Sequence, residues 1–352
     1  MSREWSLVRR AFIVSGLVGL VLAFGIREYR LHRKTPLEEA YIGSQGATLW
    51  NSTAQIRSPV ANLTYGQSVQ VYQRDADYVL VGTPAGARGW VSSASLMEPD
   101  VWRRIALLAE TTKSMPVQAS GHTNARTNIH TRPGRQSPVI LQVPPNSSVV
   151  VLTHSRAAEQ PSSAAAGINS SGSPEDYWLV RAEVKDIGNV SGWVLGRLVS
   201  LDLPRPLPEY QSSEAMRIVA WFEINRAIDS SSGGARPEYL VAGTRNLQGH
   251  GASEPGCDFT LARVYTWSSK HERYETAFLD SGLCGKLPIA VTPAVVPEGE
   301  AQFRFQNVSL NGTENRIYDM KLTTVRRIDA LPVAPEHKTK RRERLTARRD
   351  HH

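Results

Sequence analysis

The chain has 352 residues and a 41% apolar share, enough for several folded domains and too apolar for a wholly disordered polymer. Its formal charge of +8 sits at the two ends: residues 1–34 and 337–352 each hold seven Lys/Arg against two acids, while the 302 residues between hold 27 basic and 29 acidic side chains. A folded nucleic-acid binder gathers positive charge on a domain face, so the balanced middle argues against nucleic acid as a partner.

In chain order, residues 1–34 come first. Ala11 to Ile26 is uncharged and lies between Arg9–Arg10 and the basic run Arg27, Arg30, Arg33 and Lys34. As a helix these 16 residues rise roughly 24 Å, which flanking arginines and the interfacial Trp5 and Tyr29 extend toward a membrane span. Two readings stay open, an uncleaved signal anchor and a signal peptide cleaved after Gly25. The basic residues just beyond favour the anchor. No cysteine follows the run, so a lipoprotein anchor is excluded.

Residues 36–98 read as a small β unit: a Gly66 turn, an alternating Val69/Val71 run, Tyr78–Val81, and a closing Gly89-Trp90-Val91. Residues 99–115 read as a linker helix capped by Asp100, with Val101, Ile105, Leu108 and Ala109 on one face. Residues 116–203 repeat the β pattern in fuller form. An opening with Asn128, Arg132 and Pro133 is followed by Val149–Leu152, an aromatic run from Trp178 to Arg181, and Gly192-Trp193-Val194. Within them, residues 156–175 form an Ala/Ser/Gly/Pro-rich loop insert.

These two segments resemble the bacterial SH3-like (SH3b) domain. That family has an N-x-R-x-x-P-like opening, a polar turn before a V-x-V strand, an aromatic W-x-x-V strand and a terminal G-W-V. The second copy matches most of this, with the arginine displaced; the first lacks the opening, since "TLWNSTAQIRSP" does not fit it. The resemblance implies two small β-barrels joined by a helix, with ligands held between the barrel loops and an aromatic face. The ligand-binding candidates are Tyr78, Trp90, Tyr177, Trp178 and Trp193. Both G-W-V tryptophans are expected in the core. Tyr177 and Trp178 are adjacent on a strand, so one is expected inside and the other exposed.

A proline-rich joint, 204–211, leads to residues 212–332, where Tyr/Phe/Val/Thr-rich runs separated by turn residues predict an antiparallel β-sandwich or open barrel. The run 212–227 fits either a strand or a helix behind a serine cap; alternation of Met216, Ile218, Ala220, Phe222 and Ile224 favours the strand. Residues 333–352 read as a basic disordered tail. The fold class expected is mainly β with an N-terminal apolar helix.

Cys257 and Cys284 are the only cysteines, and their spacing matches no four-ligand zinc site. Paired, they close a loop worth about 3–4 kcal/mol in the chain-entropy model, and pairing requires an oxidising compartment. Unpaired, they are two buried thiols. The pairing favours a body on the periplasmic, extracytoplasmic side of a bacterial membrane.

Catalytic residues do not emerge. The nearest histidines to the cysteines, His250 and His271, complete no papain-like signature. Nucleophile-elbow, zinc-protease and phosphate-loop motifs are absent. His250 in "QGHGAS" reads as a loop histidine, and Glu214, Glu223, Asp258 and Glu272 read as ordinary strand charges. The expectation is a non-enzymatic, membrane-tethered envelope protein with no metal or cofactor, binding cell-wall glycan or peptide or an envelope protein. The alternative is an assembly scaffold whose C-terminal β domain engages a protein partner.

Overall fold

The structure is a computed structural model and describes residues 35–156, 175–245, 256–310 and 312–329. The apolar N-terminal segment, most of the 156–175 insert, His250 and the basic tail lie outside the described residues. Among the described residues no helix is long and apolar enough to cross a membrane. The protein is mainly β, and its described residues form three seven-stranded antiparallel sheets and two α-helices.

The first sheet comprises β1 (Glu38–Ile42), β2 (Gly46–Trp50), β3 (Pro59–Thr64), β4 (Ser68–Asp75), β5 (Tyr78–Gly82), β6 (Arg88–Ser92) and β7 (Leu96–Met97), in the order β3-β2-β6-β5-β4-β1-β7. Then come helix α1 (Pro99–Lys113) and the second sheet: β8 (Ala119–Thr123), β9 (Thr127–His130), β10 (Val139–Val143), β11 (Ser148–Arg156), β12 (Asp176–Val184), β13 (Gly188–Leu195) and β14 (Val199–Leu201). Its order, β10-β9-β13-β12-β11-β8-β14, is that of the first sheet, strand for strand. The repeat read in the sequence is therefore a repeat of topology. Alternation builds each core: Leu49, Val69, Val71, Val79, Val81 and Val91 point inward in the first sheet, and Ile129, Val151, Val180 and Val194 in the second.

Helix α1 starts behind Glu98 with Pro99 in its first turn, where a missing N–H costs nothing; Asp100 is a first-turn acid that suits the helix dipole rather than the expected cap. Trp102 stacks on Tyr41 at 5.3 Å and meets Tyr65 edge-on at 5.9 Å. Gly66 has φ +76°, and any Cβ there would sit 2.5 Å from the Trp102 ring, so this turn requires glycine twice over. At the other end the Thr112 hydroxyl donates to Ser191 Oγ at 2.7 Å, and Arg181 donates to the Thr112 carbonyl at 3.2 Å. The helix thus docks one end on each sheet of the N-terminal unit.

The described residues up to 115, with 120–201, form one compact unit; 116–119 and those from 202 onward form the other. The second unit opens with helix α2 (Leu207–Ser213), which occupies much of the expected proline-rich joint and buries Leu207 fully. Its strands run β15 (Met216–Asp229), β16 (Gly234–Arg245), β17 (Phe259–Ser268), β18 (Arg273–Thr292), β19 (Glu300–Ser309), β20 (Gly312–Lys321) and β21 (Thr324–Arg327), paired in sequential order. The 212–227 ambiguity resolves to a strand. The seven strands form a single antiparallel meander. Side chains from β15 through β20 share one core around Ile224, Leu240, Phe259, Phe303 and Tyr318, and Ala294 and Glu298 N–H groups reach back to the Ile224 and Arg226 carbonyls. The segment 116–119 belongs here through Gln118, whose buried amide exchanges hydrogen bonds with both backbone groups of Ile289 (2.7 and 3.1 Å).

Candidate functional site

On the first sheet the outward side of the alternation is aromatic. Val79, Val81 and Val91 face the core, so Tyr78, Leu80 and Trp90 face out. Register places Trp90 opposite both Leu80 and Trp50, and Tyr78 opposite Ser92. Gly89 shows why this motif begins with glycine: a Cβ there would lie 2.5 Å from the Trp50 carbonyl oxygen, so only glycine lets β6 close on β2. In the second sheet Gly192 does the same against Ile129 and His130. The tryptophan after each glycine is half-buried on the outer face, not in the core as expected; the core position of the motif belongs to Val91 and Val194.

The β2–β3 loop folds over this face. It is closed by a hydrogen bond from Asn51 N–H to the Ser58 carbonyl at 3.1 Å, and a second runs from Ser58 N–H to Asn51 Oδ1 at 3.0 Å. Arg57, at the end of the loop, lies 4.5 Å from the Trp50 ring centroid and 5.0 Å from that of Tyr78. Nearby, Arg88 lies 4.1 Å over the ring of Tyr72. Such contacts hold a guanidinium by its faces and leave its N–H edges free to donate. Among the described residues neither the Arg57 nor the Arg88 guanidinium makes a hydrogen bond or ion pair. At the loop tip Ile56 is 94% exposed.

The corresponding face of the second sheet is closed. His130 stands where Trp50 stands, since each pairs with its sheet's G-W-V tryptophan. Its ring Nδ1 contacts the Ser137 carbonyl oxygen at 2.8 Å. Tyr177 and Trp178 are 1% and 4% exposed, so neither is the open ring expected. Tyr177 faces out but is covered: its hydroxyl donates to Glu175, and Arg135 from the β9–β10 loop grips the same carboxylate through Nε at 2.9 and 3.0 Å. The Arg135 guanidinium holds the Glu175 carboxyl below its ordinary range. Trp178 faces the other way, packs on Gly196 and donates to Asp176 at 3.1 Å, while Asp176 also meets His154 at 2.9 Å.

Of the five candidates, Tyr78 and Trp90 share one partly open face, Trp193 is half-buried on the equivalent face of the second sheet, and Tyr177 and Trp178 are structural in their packing. Trp50 and Arg57 were not foreseen. The signal that reveals them is loop length: residues 51–58 and 131–138 are closed by the same backbone hydrogen bond, which aligns the degenerate opening with the recognisable one. A groove of about 520 Å³ lies along β1 and β4, lined by residues such as Leu37, Glu39 and Gln70 and by none of these aromatics.

In the C-terminal unit Cys257 and Cys284 form a disulfide, with Cα atoms 4.7 Å apart. Cys284 sits inside β18, which runs unbroken from Arg273 to Thr292. The acids considered above have structural partners. Glu214 pairs with Arg263, Glu223 with Arg226 at 2.7 Å, and Asp258 accepts from the Leu287 N–H at 2.7 Å. Glu272 occupies a left-handed turn position, φ +49°. One acid was missed. Glu238 on β16 is fully buried, neither oxygen has a hydrogen-bond partner in good geometry, and burial pushes its carboxyl up to about 7.

No family model matches the chain, and no curated protein does. Among solved structures the chain is similar to NlpC2 from Trichomonas vaginalis (11% identity, 84% of this chain and 97% of that one, TM-score 0.17). It is similar to NlpC1 from the same organism (12%, 81% and 88%, TM-score 0.17) and to an NlpC/P60 family protein from Bacillus cereus (12%, 82% and 95%, TM-score 0.20). At these TM-scores the likenesses carry no argument about fold or chemistry.

Proposed function

We propose that the chain is a non-enzymatic, membrane-tethered protein of a bacterial envelope whose N-terminal unit, two SH3-like barrels, binds cell-wall peptidoglycan. The observation that carries this is the outer face of the first sheet, where Trp50, paired with Trp90, and Tyr78 hold an arginine whose guanidinium has no hydrogen-bond or ion-pair partner among the described residues. Flat aromatic surface beside a cation whose edges are free suits a ligand with both apolar and polar faces. The identical strand order of the two sheets, each containing G-W-V on its sixth strand, supports reading them as two copies of one module.

The Cys257–Cys284 bond supports an oxidising compartment, and it also leaves neither sulfur as a thiol for nucleophilic chemistry. The apolar run Ala11–Ile26 supplies the tether in this reading. A second reading, a scaffold that engages a protein through the C-terminal domain, is favoured by an aromatic row on that domain's outer face: Trp221, Tyr239, Tyr274 and Trp267, with successive centroids 5.3–6.2 Å apart.

Sedimentation of the full chain with purified peptidoglycan tests the first reading. Binding is expected, with Trp90→Ala and Trp50→Ala each weakening it about tenfold. Absence of sedimentation at low salt refutes wall binding and leaves the scaffold reading in its place.

A further inference from the structure

The two sheets share one topology, and among their differences is how a loop arginine is satisfied. In the second, a loop arginine approaches the tyrosine that opens the fifth strand of the module, and a carboxylate lies between them. Arg135 grips Glu175, and Glu175 accepts the hydroxyl of Tyr177. Register equates Tyr177 with Tyr78, because Val180 faces Gly192 as Val81 faces Gly89. No residue of the first sheet stands in the place of Glu175: there the ladder ends at Asp75 opposite Tyr78 and Ala76, at φ +46°, begins a two-residue turn, whereas in the second it runs on to Arg156 opposite Asp176. Arg57 comes from the matching loop, two positions later than Arg135, and reaches Tyr78. It stacks on two aromatic rings, and although Asp75 is the cross-strand partner of Tyr78, no ion pair or hydrogen bond joins the Arg57 guanidinium to an acid among the described residues. Arg88 adds a second cation on the same outer face.

We infer that the first module takes a carboxylate from outside the chain into the place that Glu175 fills in the second, so that the wall component recognised is a free carboxylate of its peptide. This rests on the wall-binding reading above and narrows it. The stacking of Arg57 on Trp50 and Tyr78 fixes the guanidinium before the ligand arrives, and an N–H edge held in place receives a carboxylate in bidentate fashion. The second module is self-occupied and serves as an internal control.

The test compares sedimentation of the full chain on untreated peptidoglycan and on peptidoglycan whose carboxylates have been converted to amides. The wild-type chain is expected to lose about tenfold or more in affinity on amidation. Arg57→Gln is expected to bind untreated wall as weakly as wild type binds amidated wall, with little further loss on amidation. Arg135→Gln is expected to keep the full wild-type response, which separates a specific slot from general attraction between a cationic chain and an anionic polymer. If Arg57→Gln and Arg135→Gln respond to amidation alike, or wild type does not respond, the carboxylate slot is refuted while wall binding stands. If untreated wall is not bound at all, both fall together.

Discussion

Replacing Glu238 with glutamine is expected to stabilise the C-terminal domain in a pH-dependent way. Glu238 lies on the core side of β16 with Leu240 and Ala242, next to Thr266 on β17, and is 0% exposed. Burial raises its carboxyl from about 4.5 to about 7, the Thr266 hydroxyl opposes the rise, and the charge of Glu298 adds to it. In the unfolded chain the group ionises near its ordinary value, while in the fold it stays neutral. Its contribution is therefore fully present below about pH 4.5, falls as the pH rises toward 7 and is constant above that. A rise of this size corresponds to about 3 kcal/mol. Glutamine has the same shape and never ionises, so Glu238→Gln is expected to match wild type near pH 4 and to exceed it by up to about 3 kcal/mol at pH 8. Urea unfolding read by hydrogen exchange of peptides from β16 and β17 reports on this domain alone, and the difference between variant and wild type cancels every other titrating group. A difference that does not change between pH 4 and pH 8 would show that Glu238 ionises at its ordinary pH and would refute the reasoning.

Three further outcomes follow from packing and covalent structure. Gly192→Ala places a Cβ 2.3 Å from Ile129 Cγ2 and 2.8 Å from the His130 carbonyl oxygen, so the second module is expected to lose about 1–3 kcal/mol in chemical denaturation. Cys257→Ala with Cys284→Ala removes the cross-link and is expected to cost the C-terminal domain about 3–4 kcal/mol, seen as a lower urea midpoint that reducing agent reproduces in wild type. Asp229 accepts from Ser231, Ser232 and Arg236 and is held well below the ordinary carboxylate range, so Asp229→Asn is expected to loosen the β15–β16 turn at neutral pH and to converge on wild type in strong acid, as read by hydrogen exchange of residues 226–238.

How far these features were legible in the sequence depends on what each one needs. Alternation is local, so the strands of the C-terminal domain, including the 212–227 run, were readable from side-chain period alone. The continuity of β18 was not: Gly282, at φ +71°, looks like a break between "RYETAFLD" and "KLPIAV", yet cross-strand partners on β17 and β19 carry the strand through it. The disulfide was legible as one of two options, because two cysteines define a pair without defining its proximity. Glu238 was not singled out, since "RPEYLV" reads as an exposed strand charge until the sheet curls and brings Thr266 and the 293–299 connection toward the same interior.

The same distinction explains the aromatic candidates. Period two states that Tyr177 and Trp178 point to opposite sides, and they do; it does not state what covers the outer side. There the second module spends a loop arginine and Glu175, and the ring is closed off. In the first module no carboxylate is paired with the loop arginine among the described residues, and the arginine stacks on two rings. A module that leaves one group for a ligand to satisfy departs from the pattern at that place. The copy with the weaker sequence resemblance is also the one whose loop arginine is held by rings and by no ion pair among the described residues.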